Sequence, residues 1–128
     1  MKIVFTNGCF DILHIGHVRL LKQARNLGDY LIVGLNSDKS VTQLKGENRP
    51  IFNHYHRKEI LESLRYVDEV IIFHEPTPLE LIKMIKPDIL VKGPDYQDKE
   101  IVGADLVSQV IILARDYDIS TTQITNRI

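Results

Sequence analysis

The sequence lacks the features that secreted and membrane-spanning proteins carry. Its 128 residues include one cysteine, Cys9, which cannot form an internal disulfide bond, and there is no cysteine set with zinc-ligand spacing. No apolar run approaches the roughly 18 residues of a transmembrane helix, and the N-terminal apolar run is too short for a signal peptide. We therefore expect a cytoplasmic protein with no membrane partner.

An excess of charge of one sign is also absent. Sixteen Lys and Arg residues are balanced by seventeen Asp and Glu residues, which gives a net charge of -1, and the basic residues are spread along the chain. A nucleic-acid partner is therefore not expected, and any phosphate-binding site must be local. Because no Pro/Gly/Ser-rich linker or internal repeat divides the chain, we predict a single domain over residues 1–128.

Short apolar runs rich in β-branched residues alternate with segments of helical spacing. The predicted strands are residues 2–6, 30–35, 69–73, 88–91 and 109–113, and the predicted helices are residues 17–27, 55–66, 78–86, 101–108 and a last segment from Ser120. This alternation indicates an α/β fold, a Rossmann-like doubly wound parallel sheet of about five strands. Ligands of such sheets bind beyond the carboxyl ends of the strands, which points to the loops after residues 6, 36, 73, 93 and 114.

Two histidines with a glycine between them open the first predicted helix. The loop before it reads TNGCFDILHIGH from Thr6 to His17. A helix N-terminus favours bound phosphate through its free N–H groups and its dipole, and Gly16 lets the backbone approach a phosphate closely. We predict that His14 and His17 stabilise charge on a reacting phosphate. The alternative is that His14 caps the helix and His17 packs against the sheet.

Two motifs carry a family resemblance. His14-Ile15-Gly16-His17 is the H-x-G-H signature of the nucleotidyltransferase superfamily, and residues 119–124 (ISTTQI) resemble the ISTT-x-I segment of small cytidylyl- and adenylyltransferases. Class I aminoacyl-tRNA synthetases share the first motif, but this chain is too short and has no KMSKS-like loop. The resemblance implies transfer of a nucleoside monophosphate from an NTP to a phosphorylated small molecule, with release of pyrophosphate.

Further segments resemble one branch of these enzymes, the adenylyltransferase domain of bifunctional ADP-heptose synthases. They are residues 36–38 (NSD), 44–50 (LKGENRP), 77–78 (TP), 90–96 (LVKGPDY) and 100–103 (EIVG). This resemblance covers essentially the whole chain and implies a heptose 1-phosphate acceptor, ATP and a role in surface-glycan biosynthesis. It also implies a homodimer. Because no sugar-kinase segment precedes Met1, a separate kinase is expected to supply the acceptor.

Two alternatives stay open. Residues 55–58 (YHRK), residues 64–70 (LRYVDEV) and Arg115 are closer to glycerol-3-phosphate cytidylyltransferase, which would imply CTP and glycerol 3-phosphate or another small phosphate or phosphonate. A non-catalytic nucleotide-binding module is the other alternative. A decayed domain would be expected to lose a histidine or the C-terminal Ser/Thr cluster, and neither is missing.

The resemblance and the loop positions together predict a site. The catalytic set is His14, His17, Lys45 and Arg115. The nucleotide-binding set is Thr6, Asn7, Gly8, Cys9, Phe10, Gly16, Lys92, Gly93, Ser120, Thr121 and Thr122. The acceptor-binding set is Asp11, Asp38, Arg49, Arg57 and Asp95. Mg²⁺ is expected to be held mainly by phosphates, with at most one carboxylate from Asp11 or Asp95.

Charge and position support several of these assignments. Arg57 begins a predicted helix, where a cation opposes the helix dipole and has no structural advantage. Lys92 ends a buried strand, where a charge is costly without a partner. Lys45 and Arg49 are expected in a flexible polar loop, where the alternative is simple solvation. Cys9 is expected to be a small apolar residue rather than a nucleophile. His54, His56 and His74 are expected at the surface.

Overall fold

The computed structural model describes residues 1–97, 99–114, 124 and 126. Within them the strands are β1 (Ile3–Gly8), β2 (Tyr30–Asn36), β3 (Glu69–Phe73), β4 (Ile89–Lys92) and β5 (Gln109–Ile112). The helices are α1 (Ile15–Arg25), α2 (Asp38–Lys45), α3 (His54–Glu62) and α4 (Leu79–Ile85), and two 3₁₀ turns span Pro94–Tyr96 and Ala104–Leu106. Each of the five predicted strands is confirmed, with ends that shift by at most two residues.

The five strands form one sheet in the order β3-β2-β1-β4-β5, and all its pairs are parallel. The chain builds outward from β1 through β2 to β3, then returns to the other side of β1 to add β4 and β5. Strand order therefore reverses between β1 and β4, where connections diverge and leave a crevice beyond the carboxyl ends. The predicted Rossmann-like doubly wound parallel sheet is confirmed.

Apolar layers cover both faces of the sheet. Side chains alternate between faces along each strand, so Val4 belongs to one buried cluster and Phe5 to the other. Leu21 of α1 and Leu61 of α3 pack in the first cluster, whereas Ile82 of α4 packs in the second. This burial on both faces explains why the strands read as continuous apolar runs. In the part of the chain that the structure describes, no helix is long and apolar enough to cross a membrane.

Two predicted segments differ from the structure. Residues 38–45 form helix α2 rather than part of a polar loop, so Lys45 is a helical residue. Ser37 caps this helix by accepting the Ser40 N–H, but Ser40 and Val41 are its only buried residues, so it has almost no apolar face to signal it. Residues 101–108 contain a short 3₁₀ turn instead of a helix, preceded by Gly103 at φ 85°. Of the helix predicted from Ser120, only residues 124 and 126 are described, and both are helical.

Candidate active site

A cleft of about 420 Å³ opens at the carboxyl ends of the strands. The loops that follow β1, β3 and β4 contribute to its wall, together with the end of β2, the end of α2 and the first turns of α1. Ten predicted site residues lie in this wall: Asn7, Gly8, Cys9, Phe10, Asp11, His17, Lys45, Arg49, Lys92 and Gly93. The structure thus brings together residues from the predicted catalytic, nucleotide-binding and acceptor-binding sets.

His14 and His17 form a reciprocal cap at the start of α1. His14 Nδ1 accepts the Gly16 N–H at 3.1 Å, and His17 Nδ1 accepts the backbone N–H of His14 at 3.2 Å. The two rings stack with their centroids 3.8 Å apart. Because both Nδ1 atoms accept, the proton of each neutral imidazole lies on Nε2. His17 lines the cleft, so its Nε2–H is available to donate to a ligand.

Both imidazoles are neutral near pH 7. Burial, together with smaller electrostatic effects of His14 and Lys45, lowers the pKa of His17 to about 3. Burial also lowers the pKa of His14. A neutral imidazole with Nδ1 engaged can donate one hydrogen bond from Nε2 without adding a full charge to the ground state. Such a donor stabilises negative charge as it develops on a ligand.

Lys92 places a buried cation in the cleft. Its side chain is 5% exposed, Nζ donates to Asn7 Oδ1, and Nζ lies 4.9 Å from the centre of the Tyr96 ring. Within the described residues, Asn7 Oδ1 is the one hydrogen-bond acceptor of the Lys92 ammonium. Burial lowers the pKa of Lys92 to about 8, because a charge is costly in the interior. An anion in the cleft would offset that cost.

Lys45 and Arg49 add further positive charge to the wall of the cleft. Lys45 is the last residue of α2, where a cation interacts favourably with the helix dipole, and its side chain is exposed. Arg49 Nη1 lies 3.9 Å from Asp11 Oδ2, and this side chain is 14% exposed. With Lys92, these cations make the cleft suitable for a polyphosphate.

Gly93 leaves room in the cleft that a side chain would fill. Its backbone is extended, with φ at -77°, so the conformation does not require glycine. A Cβ built there would meet no protein atom within 4 Å. Neither backbone strain nor packing demands a glycine here, and the open space leaves this stretch of backbone accessible from the cleft.

Three residues of the predicted acceptor-binding set make their contacts within the protein. Arg57 is 1% exposed and donates to backbone carbonyls, so its guanidinium cannot reach an acceptor. Asp38 pairs with Arg57 at 2.9 Å. Asp11 lines the cleft, but its two oxygens accept the N–H groups of Ile51 at 2.6 Å and Phe52 at 3.0 Å. These contacts give all three side chains a structural role.

The other predicted residues lie near the cleft or outside the part of the chain that the structure describes. Thr6 is buried and donates its hydroxyl to Val91 O at 2.8 Å, which ties β1 to β4, and it does not line the cleft. Gly16 lies in the first turn of α1, and Asp95 lies in an exposed 3₁₀ turn after β4. Arg115, Ser120, Thr121 and Thr122 lie outside the described residues.

Several cleft residues were not predicted from sequence. They are Leu20, Asn36, Leu44, Pro76, Thr77, Pro78, Tyr96, Glu100 and Val102. Most of them follow the carboxyl end of β2, β3 or β4, in loops that the strand rule had already indicated. A stricter use of that rule would have found Asn36 and the segment 76–78.

Of the three histidines that were expected at the surface, His54 is half-buried, and its Nδ1 accepts the Asp38 N–H at 3.0 Å.

Comparisons with known proteins agree with this geometry. The sequence model of a family described as cytidylyltransferase-like matches residues 5–127. The chain is 57% identical over 127 residues to bifunctional protein HldE of Campylobacter jejuni subsp. doylei, and 58% identical to that of Campylobacter curvus. Each match covers 99% of this chain. The chain spans only 28% and 27% of these relatives' own lengths.

Solved structures share the fold. A lipopolysaccharide core biosynthesis protein from Thermoplasma volcanium is 31% identical, with a TM-score of 0.76, and the match covers 92% of this chain and 99% of that one. A pantoate-beta-alanine ligase from Francisella tularensis is 20% identical, with a TM-score of 0.67 over 97% of this chain and 67% of that one. The latter likeness concerns the fold alone.

The low pKa of His17 predicts acid sensitivity. Between pH 6.5 and about 3 the unfolded chain binds a proton at His17 and the folded chain does not, so the free energy of unfolding falls as the pH falls. From pH 7 to pH 5 the loss is about 1–2 kcal/mol, at roughly 1.4 kcal/mol per pKa unit. His17→Asn keeps an acceptor for the His14 N–H but does not titrate. Urea unfolding should therefore show that His17→Asn loses less stability than the unmodified protein between pH 7 and pH 5.

The exposed His56 offers a matched control. His56→Asn should keep the pH dependence of the unmodified protein. The account of His17 would be contradicted if His17→Asn lost as much stability between pH 7 and pH 5 as the unmodified protein does.

Proposed function

The chain belongs to the cytidylyltransferase-like family of nucleotidyltransferases, and from this premise we propose that it transfers AMP from ATP to a heptose 1-phosphate. The observation that carries the proposal is the neutral His14–His17 pair at the N-terminus of α1, in a cleft that also holds the buried Lys92 ammonium. The identity with HldE proteins over 99% of the chain favours the heptose acceptor. A cytoplasmic location and a role in surface-glycan biosynthesis belong to the same proposal.

The proposed reaction is an in-line substitution at the α-phosphorus. An oxygen of the acceptor phosphate attacks that phosphorus, the bond to the bridging oxygen of the β-phosphate breaks, and pyrophosphate leaves. A phosphate monoester is already nucleophilic at pH 7, so the cleft needs no strong general base. The task of the protein is then to position the reactants and to stabilise charge.

Each part of the cleft has a role in this scheme. His17, supported by His14, donates a hydrogen bond to the phosphate oxygens as negative charge builds. Lys92 and Lys45 bind the phosphates as cations, and Arg49 contributes from the rim. The loop from Asn7 to Phe10 and the open space at Gly93 receive the nucleotide. Arg115 and residues 120–122 remain proposed phosphate contacts.

Mg²⁺ fits the cleft as an ion that arrives with the nucleotide. Within the described residues, no group of three or more His, Cys, Asp or Glu side chains could hold a metal ion. The Asp11 carboxylate already accepts two backbone N–H groups. The residues present therefore favour Mg²⁺ held by phosphate oxygens and water, with at most one carboxylate from the chain. When bound, the ion neutralises charge on the triphosphate.

Cytidylyl transfer to glycerol 3-phosphate is the second candidate. It rests on the resemblance of residues 55–58, residues 64–70 and Arg115 to that enzyme. The first of these segments includes Arg57, whose guanidinium donates four hydrogen bonds to acceptors within the protein itself. A residue that serves the interior carries no information about the acceptor, so this part of the resemblance weakens as an argument for CTP.

A pyrophosphate-release assay tests the proposed reaction. ATP, CTP, GTP and UTP are each mixed with Mg²⁺ and with heptose 1-phosphates, glycerol 3-phosphate, choline phosphate or ethanolamine phosphate. Release is expected with ATP and a heptose 1-phosphate, and EDTA should abolish it because the free triphosphate loses its counterion. Release only with CTP would favour the second candidate, and NTP binding without release for any acceptor would contradict the proposed transfer.

We also propose that the protein is a homodimer. Ile51 is 50% exposed and Tyr55 is 73% exposed, and they flank Phe52, which stacks on His56 at 4.3 Å. Apolar and aromatic residues of this kind are enriched where two copies of a protein meet. Light scattering at micromolar concentration should give twice the 14.7 kDa mass of the chain. A mass of one chain at every concentration would refute the dimer.

A further inference from the structure

We infer that Arg57 is a positioning residue that sets the shape of the cleft without contacting the substrates. The inference rests on the proposed function for its kinetic part. Arg57 lies in the first half of α3, is 1% exposed and is the largest fully buried side chain among the described residues. A buried cation is costly, so its contacts must compensate.

The guanidinium of Arg57 joins three separate segments of the chain. Nη1 donates to Cys9 O at 2.7 Å and to Asn36 O at 2.8 Å, Nε donates to Phe52 O at 2.9 Å, and Nη2 donates to Asp38 Oδ1 at 2.9 Å. The segments are the loop after β1, the end of β2 with the start of α2, and the loop before α3. A planar fork of donors can meet these acceptors at once, whereas a single ammonium cannot.

Two of these segments form the wall of the cleft. Cys9 and Asn36 both line it, and Arg57 holds their carbonyl groups on one side chain. β1 and β2 are paired as far as Gly8 and Leu35, and the guanidinium holds the loop after β1 to the end of β2 beyond that pairing. The same loop continues into the histidine pair of α1, so its position also affects where His17 lies.

The loop after β1 needs to be held. Phe10 and Ile12 have φ values of 46° and 56°, in the left-handed region that is unfavourable for residues with a side chain. Asp11 lies between them and accepts the N–H groups of Ile51 and Phe52. The backbone of Phe52 is thus held at both of its polar groups: its N–H donates to Asp11, and its carbonyl accepts from Arg57. Without the guanidinium, three carbonyl groups would lose a donor and the strained loop would relax.

Cys9 provides a probe of this loop that does not depend on activity. It is the only cysteine in the chain, and burial raises the pKa of its thiol, which slows alkylation. Arg57→Lys keeps the positive charge near the thiol, so a change in alkylation rate would report the position of the loop. Arg65→Lys is the matched control, because Arg65 is exposed and its guanidinium contacts the Tyr66 hydroxyl.

The experiment measures iodoacetamide alkylation of Cys9 and the steady-state kinetics of the same variants. For Arg57→Lys we expect alkylation to be at least about fivefold faster and kcat to fall by about tenfold or more, with the KM for the NTP changed by less than about threefold, because misplaced reacting groups lower turnover more than binding. Arg65→Lys should match the unmodified protein in every measurement.

A second variant keeps the test decisive if Arg57→Lys does not fold. Arg57→Ala with millimolar guanidinium should recover slow alkylation and part of kcat, while the same ion should leave Arg65→Ala unchanged. The inference would be overturned if Arg57→Lys folds and has the alkylation rate and kcat of the unmodified protein. It would also be overturned if guanidinium fails to rescue Arg57→Ala. If the unmodified protein shows no turnover with any substrate pair, the proposed function fails, and the alkylation rates still decide the role of Arg57.

Discussion

The reversal of strand order between β1 and β4 is the constraint on which the rest of the site depends. On one side of β1 the chain proceeds to β2 and β3, and on the other it returns to β4 and β5, so the connections leave the crevice open between them. Asn7 at the end of β1 and Lys92 at the end of β4 meet across this point. An anion in the crevice would offset the cost of the buried ammonium, so the sheet itself prepares the proposed phosphate site.

The histidine pair shows that capping and function are compatible. From sequence, a capping role for His14 was an alternative to a role in phosphate chemistry. In the structure the cap prepares the proposed chemistry, because the hydrogen bonds to both Nδ1 atoms leave the protons on Nε2. Burial then keeps His17 neutral at physiological pH. One local arrangement satisfies the helix N-terminus and orients a donor towards the cleft.

Local patterns predicted most of the fold, and long-range contacts account for most of what they missed. Alternating apolar runs and helical spacing were enough to find all five strands and three of the four described helices, whereas α2 buries too little apolar surface to give a signal. The H-x-G-H loop and Lys92 were found because their residue types are unusual at those positions. The internal hydrogen bonds of Arg57 and Asp11 were not predicted because their partners lie up to 48 residues away in sequence. No spacing rule reveals that Arg57 turns to the inner side of the short helix α3.

The central claim is that His17 donates a hydrogen bond to phosphate during transfer. The most direct test compares turnover and NTP affinity in His17→Ala with those in His74→Ala, which replaces an exposed histidine. The account predicts that His17→Ala folds and binds the NTP but loses about a hundredfold or more in kcat, on the order of the loss of one preorganised donor. His74→Ala should match the unmodified protein. Undiminished turnover in folded His17→Ala would contradict the account.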